Sequence, residues 1–61
     1  MIDSIEDAMT ALQTAEQDVM ADMGEDAVEA GWSDLVHTLA EQCTPQVRDE
    51  LLRRHGMEAR A

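Results

Sequence analysis

The sequence predicts an all-α protein, a small bundle of two longer helices and one shorter helix, and three observations predict it. Apolar residues recur at helical spacing in two long stretches and one short one. Ala, Glu, Gln, Leu and Met are plentiful, Phe and Tyr are absent, and β-branched residues are scattered, which favours helix over strand. Gly24, the Thr44-Pro45 pair and Gly56 stand where such stretches should be cut.

The first helix is predicted over about residues 4–23. Ile5, Met9, Leu12, Val19 and Met23 form its apolar side, with Ala8 and Ala15 filling the same face. Ser4 or Asp3 is placed to cap it, the early acids suit its positive N-terminal dipole, and Gly24 stops it. Asp3, Asp7, Asp18 and Asp22 project roughly opposite the apolar side. Glu16 breaks the pattern by falling within the stripe. An unpaired buried carboxylate is costly, so Glu16 is expected to pair with an arginine of the third helix or to mark an edge that meets another molecule.

The second helix is predicted over about 26–43, kinked or interrupted near Gly31, with Val28, Trp32, Leu35, Val36, Leu39 and Cys43 as its stripe. The third runs over about 45–55. Thr44 is a good N-cap, and Pro45 at the first helical position forfeits no hydrogen bond. Val47, Leu51 and Leu52 face inward, and Asp49/Arg53 and Glu50/Arg54 form acid-first i,i+4 pairs. Gly56 ends this helix, and 57–61 reads as a frayed tail of a single domain spanning 1–61.

Sixty-one residues form one domain at most, with a core of little surplus. A single cysteine, Cys43, allows no internal disulfide and no zinc site, and suits a reducing cytoplasm, that of a bacterial host cell in the reading reached below. The acidic start lacks the basic region of a signal peptide, and no apolar run nears the roughly 20 residues that span a bilayer. No membrane association is expected.

Charge is the strongest feature. Residues 1–47 carry eleven acids and no Lys or Arg, while residues 48–61 balance to +1, giving a net charge of −10. Such a field opposes compaction and draws cationic partners in. Direct binding of nucleic acid is disfavoured, because that affinity comes from Lys and Arg on phosphates. The predicted partner is a basic, nucleic-acid-binding protein or complex.

The candidate partner-binding residues are Asp18, Asp22, Glu25, Asp26 and Glu29. Carboxylates at i,i+4 on a helix lie about 6 Å apart, close to the phosphate repeat of a DNA strand. A rod carrying them at that interval can enter a groove built for phosphates. The plainer alternative is a solvated face that keeps the chain in solution. Trp32 is the sole aromatic residue and is expected in the core, with a hydrophobic interface anchor as the alternative. Met9, Met20 and Met23 are expected as core filler, although their adaptability also suits a binding surface. Asp34, His37 and Glu41 have the i, i+3, i+7 spacing of a metal site, but a His37–Glu41 surface pair is the expectation, with no metal and no cofactor. Cys43 reads as a small buried hydrophobe. No nucleophile–base pair or Gly-rich phosphate loop is present, so the chain is not expected to be an enzyme.

Asp3-Ser4-Ile5 is similar to the Asp-Ser-Leu of acyl carrier proteins, but their serine follows a complete helix and loop, and Ser4 stands almost at the start. In size, acidity and helicity the whole chain resembles the small proteins that bacteriophages make against host defences, anti-CRISPR proteins above all. That resemblance implies an inhibitor and partial DNA mimic that binds a CRISPR effector complex and obstructs DNA loading, as a monomer or a homodimer. The alternative is a helical adaptor or regulator, antitoxin-like or a dimeric transcription accessory, that binds through an apolar face.

Overall fold

The structure, a computed structural model, describes residues 1–57. The all-α expectation holds, with four helices: α1 (Ile5–Met23), α2 (Glu25–Ala30), α3 (Trp32–Ala40) and α4 (Pro45–Arg54). The predicted second helix is two helices, interrupted at Gly31 rather than kinked. The hydrogen-bond ladder crosses the break, since Gly31 N–H donates to Ala27 O and Gly31 O accepts from Leu35 N–H. A φ of −105° at Gly31 nonetheless turns the chain away from α geometry.

Each boundary has a local cause. Ser4 is the N-cap of α1, its hydroxyl accepting from Asp7 N–H at 3.3 Å. Glu6 and Asp7 sit in the first turn, where carboxylates meet the positive end of the dipole. Gly24 stops α1 at φ 92°, ψ 172°, a conformation open essentially to glycine alone. Thr44 caps α4 by accepting from Val47 N–H, and Pro45 opens the helix. Gly56 at φ 67° closes α4: Met57 N–H reaches Leu52 O at 2.8 Å, and Gly56 N–H reaches Arg53 O at 3.1 Å. This pairing satisfies the last carbonyls and turns Met57 back onto the core. Met57 therefore does not belong to a frayed tail, and residues 58–61 lie outside the described residues.

α3 ends three residues before the predicted limit. Its last turn tightens, with Gln42 N–H donating to Leu39 O and Cys43 N–H to Ala40 O. Residues 42–44 then pair with the N-terminal segment: Ile2 N–H donates to Gln42 O, and Thr44 N–H donates to Ile2 O, both at 2.8 Å. The residue before a proline is pushed out of the α region, which leaves Thr44 extended and able to make this bridge.

The core joins Ala8 and Leu12 of α1, Val36, Leu39 and Ala40 of α3, and Val47, Leu51 and Leu52 of α4, together with Cys43. Ile2, Ile5, Ala11, Trp32 and Leu35 pack around it. α1 packs on all three other helices, whereas α2 rests on α1 and α3 and does not touch α4.

Candidate functional site

Each candidate acid is exposed. Asp18 and Asp22 lie on the last two turns of α1, Glu25 and Asp26 open α2, and Glu29 precedes its end. They do not form one rod. The extended conformation of Gly24 divides the row into a pair on α1 and a trio on α2. The i,i+4 spacing survives within each helix and is lost across the break.

Charge segregation is sharper in space than along the chain. Arg48, Arg53 and Arg54 all pair within α4: Arg48 with Asp49 at 3.4 Å, and Arg53 and Arg54 with the two oxygens of Glu50 at 3.0 Å. Hydrogen bonding from Arg54, aided by Arg53, holds the Glu50 carboxyl below its ordinary range. The predicted Asp49/Arg53 pair is not made, because Arg53 turns to Glu50 at i,i+3. With α2 clear of α4 and the described arginines occupied on their own helix, none of them neutralises the acids of α2.

Between the C-terminal end of α1 and the α2–α3 pair runs a groove of about 240 Å³. Val19, Met23, Val28 and Leu35 supply its apolar surface, with Asp34 and Thr38 at one side. Ala27, with only a methyl group, and Gly31, with no side chain, also line it. The candidate acids border this groove in the chain: Asp18 precedes Val19, Asp22 precedes Met23, Asp26 precedes Ala27, and Glu29 follows Val28. Each is exposed and stands one residue, about 100° of helical turn, from a lining residue.

The methionine expectation is corrected. Met9, Met20 and Met23 are 37%, 44% and 64% exposed, and the central line of α1 is Ala8 and Leu12. Helices α3 and α4 approach α1 closely enough that small Ala8 fits the centre, which displaces the longer side chains to the flanks. A second depression, lined by Met9, Leu12, Gln13, Glu16, Trp32 and His55, lies nearer the start of α1. Glu16 makes no ion pair among the described residues, so the expected pairing with an arginine of the last helix is not made. Trp32 is half-buried, packs on the core and meets the His55 ring edge-on at 5.6 Å. The His55 Nε2 is buried there without a hydrogen-bond partner among the described residues.

Asp34, His37 and Glu41 do not come together as a metal-ligating group. His37 is buried at 8% exposure, and Glu41 is exposed beyond the end of α3. α3 is covered by α1 and α4 together, so its buried arc is wider than a single stripe and takes in His37. No group of three or more metal-ligating side chains occurs among the described residues. Cys43 is a buried hydrophobe as expected, its thiol donating to Leu39 O at 3.4 Å. No helix among the described residues is long and apolar enough to cross a membrane.

The chain matches no protein-family model, no curated protein and no solved structure.

The site was half legible in the sequence. The acids were visible as a run without bases. The groove was not, because Val19 and Met23 looked like ordinary members of a core stripe. One signal did point to it: methionine placed three times along one helix is typical of adaptable surfaces as well as of cores.

Proposed function

We propose that this chain is a small acidic inhibitor that docks on a basic, nucleic-acid-binding surface and blocks DNA loading, as the anti-CRISPR proteins it resembles do. It acts by occupancy and performs no catalysis. The observation that supports this reading is the set of exposed acids Asp18, Asp22, Glu25, Asp26 and Glu29 with no Lys or Arg before Arg48. Opposed to a Lys/Arg-lined channel, such a set steers encounter and takes the place of phosphates. Because Gly24 splits the row, the imitation of a DNA strand extends over one or two turns, and the contact is a local plug rather than a long duplex mimic.

The test is a mobility-shift assay with a CRISPR effector complex and its target duplex. Added at low salt, the chain lowers DNA loading. The effect fades as salt shortens the screening length from about 8 Å at physiological strength to about 3 Å at 1 M. The combined change Asp18→Asn, Asp22→Asn, Glu25→Gln, Glu29→Gln abolishes it. Full inhibition by that variant removes the electrostatic reading.

The exposed Met20 and Met23 favour a second reading, a helical adaptor that binds through its apolar face. Partner capture that persists at 1 M salt and is lost with Met23→Gln supports that reading instead.

A further inference from the structure

We infer that the groove between α1, α2 and α3 receives a Lys/Arg-rich amphipathic helix of the partner, an inference that rests on the binding of a basic surface proposed above.

Three features select this occupant. The first is size. A volume of about 240 Å³ falls below the roughly 300–1,000 Å³ of small-molecule pockets and suits one or two protruding apolar side chains. The second is spacing. Val19 and Met23 are i,i+4 on α1, and Leu35 and Thr38 are i,i+3 on α3. These are the ridge intervals into which the side chains of another helix interdigitate. The third is charge. Asp18, Asp22, Asp26 and Glu29 each adjoin a lining residue, and no Lys or Arg occurs anywhere in α1, α2 or α3. A helix with an apolar stripe flanked by Lys or Arg complements both the apolar floor and the acidic surface around it. A helix flanked by acids, or a second copy of this chain at −10, is repelled. The protein measures 31 × 21 × 15 Å, and a helix of 14 residues, about 21 Å long, spans its face.

The experiment uses the full chain and four synthetic peptides of equal length: a Leu/Lys amphipathic helix, its scramble of identical composition, a Gly/Lys peptide of the same charge, and a Leu/Glu amphipathic helix. Affinity is measured by calorimetry at moderate salt, and methyl NMR locates the contact. The amphipathic Leu/Lys helix is expected to bind at least about tenfold more tightly than its scramble, the worth of burying one side chain. The Val19, Met23, Val28 and Leu35 methyl signals shift. Met23→Gln, at a position already 64% exposed, weakens it by about tenfold, while Met9→Gln, nearer the start of α1 and outside the groove, does not. Circular dichroism verifies that both variants stay folded.

Equal binding of the Leu/Lys helix, its scramble and the Gly/Lys peptide, with the groove methyls unmoved, overturns the groove and leaves the basic-surface reading standing. Failure of every cationic peptide overturns both. Binding of the Leu/Glu helix as tight as that of the Leu/Lys helix overturns the selection by charge. Groove signals that shift with protein concentration alone identify a second copy as the occupant and overturn the proposal.

Discussion

Gly24 decides more of this structure than any other single residue. Its φ of 92° and ψ of 172° lie where a Cβ is not tolerated, although the space around it is open. The strain of Gly24→Ala is therefore purely conformational, and it lowers unfolding stability by about 1–3 kcal/mol in urea titration. A D-alanine at the same position, placed by chemical synthesis, finds an allowed conformation and leaves stability at or above that of the parent. Cys43 gives a second test at this scale. Burial raises its thiol above the ordinary range, so the folded state retains the proton after the unfolded chain has lost it. That contribution is complete below the unfolded pKa of about 8.5 and is lost as pH rises through the folded value. The chain has no Lys and no Tyr, so Cys43 is the only side chain with an ordinary pKa between pH 8 and 10. The urea midpoint is expected to fall across that range in the parent and to remain level in Cys43→Ala.

Among the elements, the ends were more legible than the middles. Ser4, Gly24, Thr44-Pro45 and Gly56 act locally, through one side-chain hydrogen bond or one glycine conformation, and a local cause can be read from a few adjacent residues. Thr44→Ala removes the cap of α4 and is expected to lower stability by about 0.5–2 kcal/mol, with Ser4→Ala similar on α1, each measured by thermal and urea melts. For a chain of this length total stability is about 3–9 kcal/mol, so either cap matters. The early end of α3 was less accessible. It depends on Ile2 pairing with residues 42–44, a contact forty residues apart in the chain. The periodic stripe reached Cys43 because Cys43 is buried, but it is buried outside the helix. Periodicity reports which residues are covered, not which backbone conformation covers them.

For the whole molecule, charge sets two opposed responses to salt. The net charge of −10 repels itself, and Arg48, Arg53 and Arg54 pair within α4, so screening relieves the folded state. Raising sodium chloride from about 20 mM to about 0.5 M is expected to raise Tm on the order of 5 °C by calorimetry. The same change weakens docking on a basic surface. The Asp18→Asn, Asp22→Asn, Glu25→Gln, Glu29→Gln variant should likewise be more stable than the parent while binding less. A gain in stability together with lost binding separates a functional acidic face from one that serves only to solvate the chain. If those acids were needed for folding, both properties would fall together.

What the sequence by itself determined is the helical class, the ends of α1 and α4, the buried state of Cys43 and the separation of acids from arginines. These follow from composition, from spacing and from capping, all of which operate within a few residues. The tertiary structure alone decided that Ala8 rather than Met9 occupies the centre of α1, that His37 is buried, and that Val19 and Met23 line a groove with Val28 and Leu35. The physical reason is that burial depends on how closely and from how many sides other helices approach. In this chain α3 is covered by two helices, while α2 stops at Gly31 and does not reach α4. The end of α1 beside it is left apolar and open, on helices that carry no Lys or Arg.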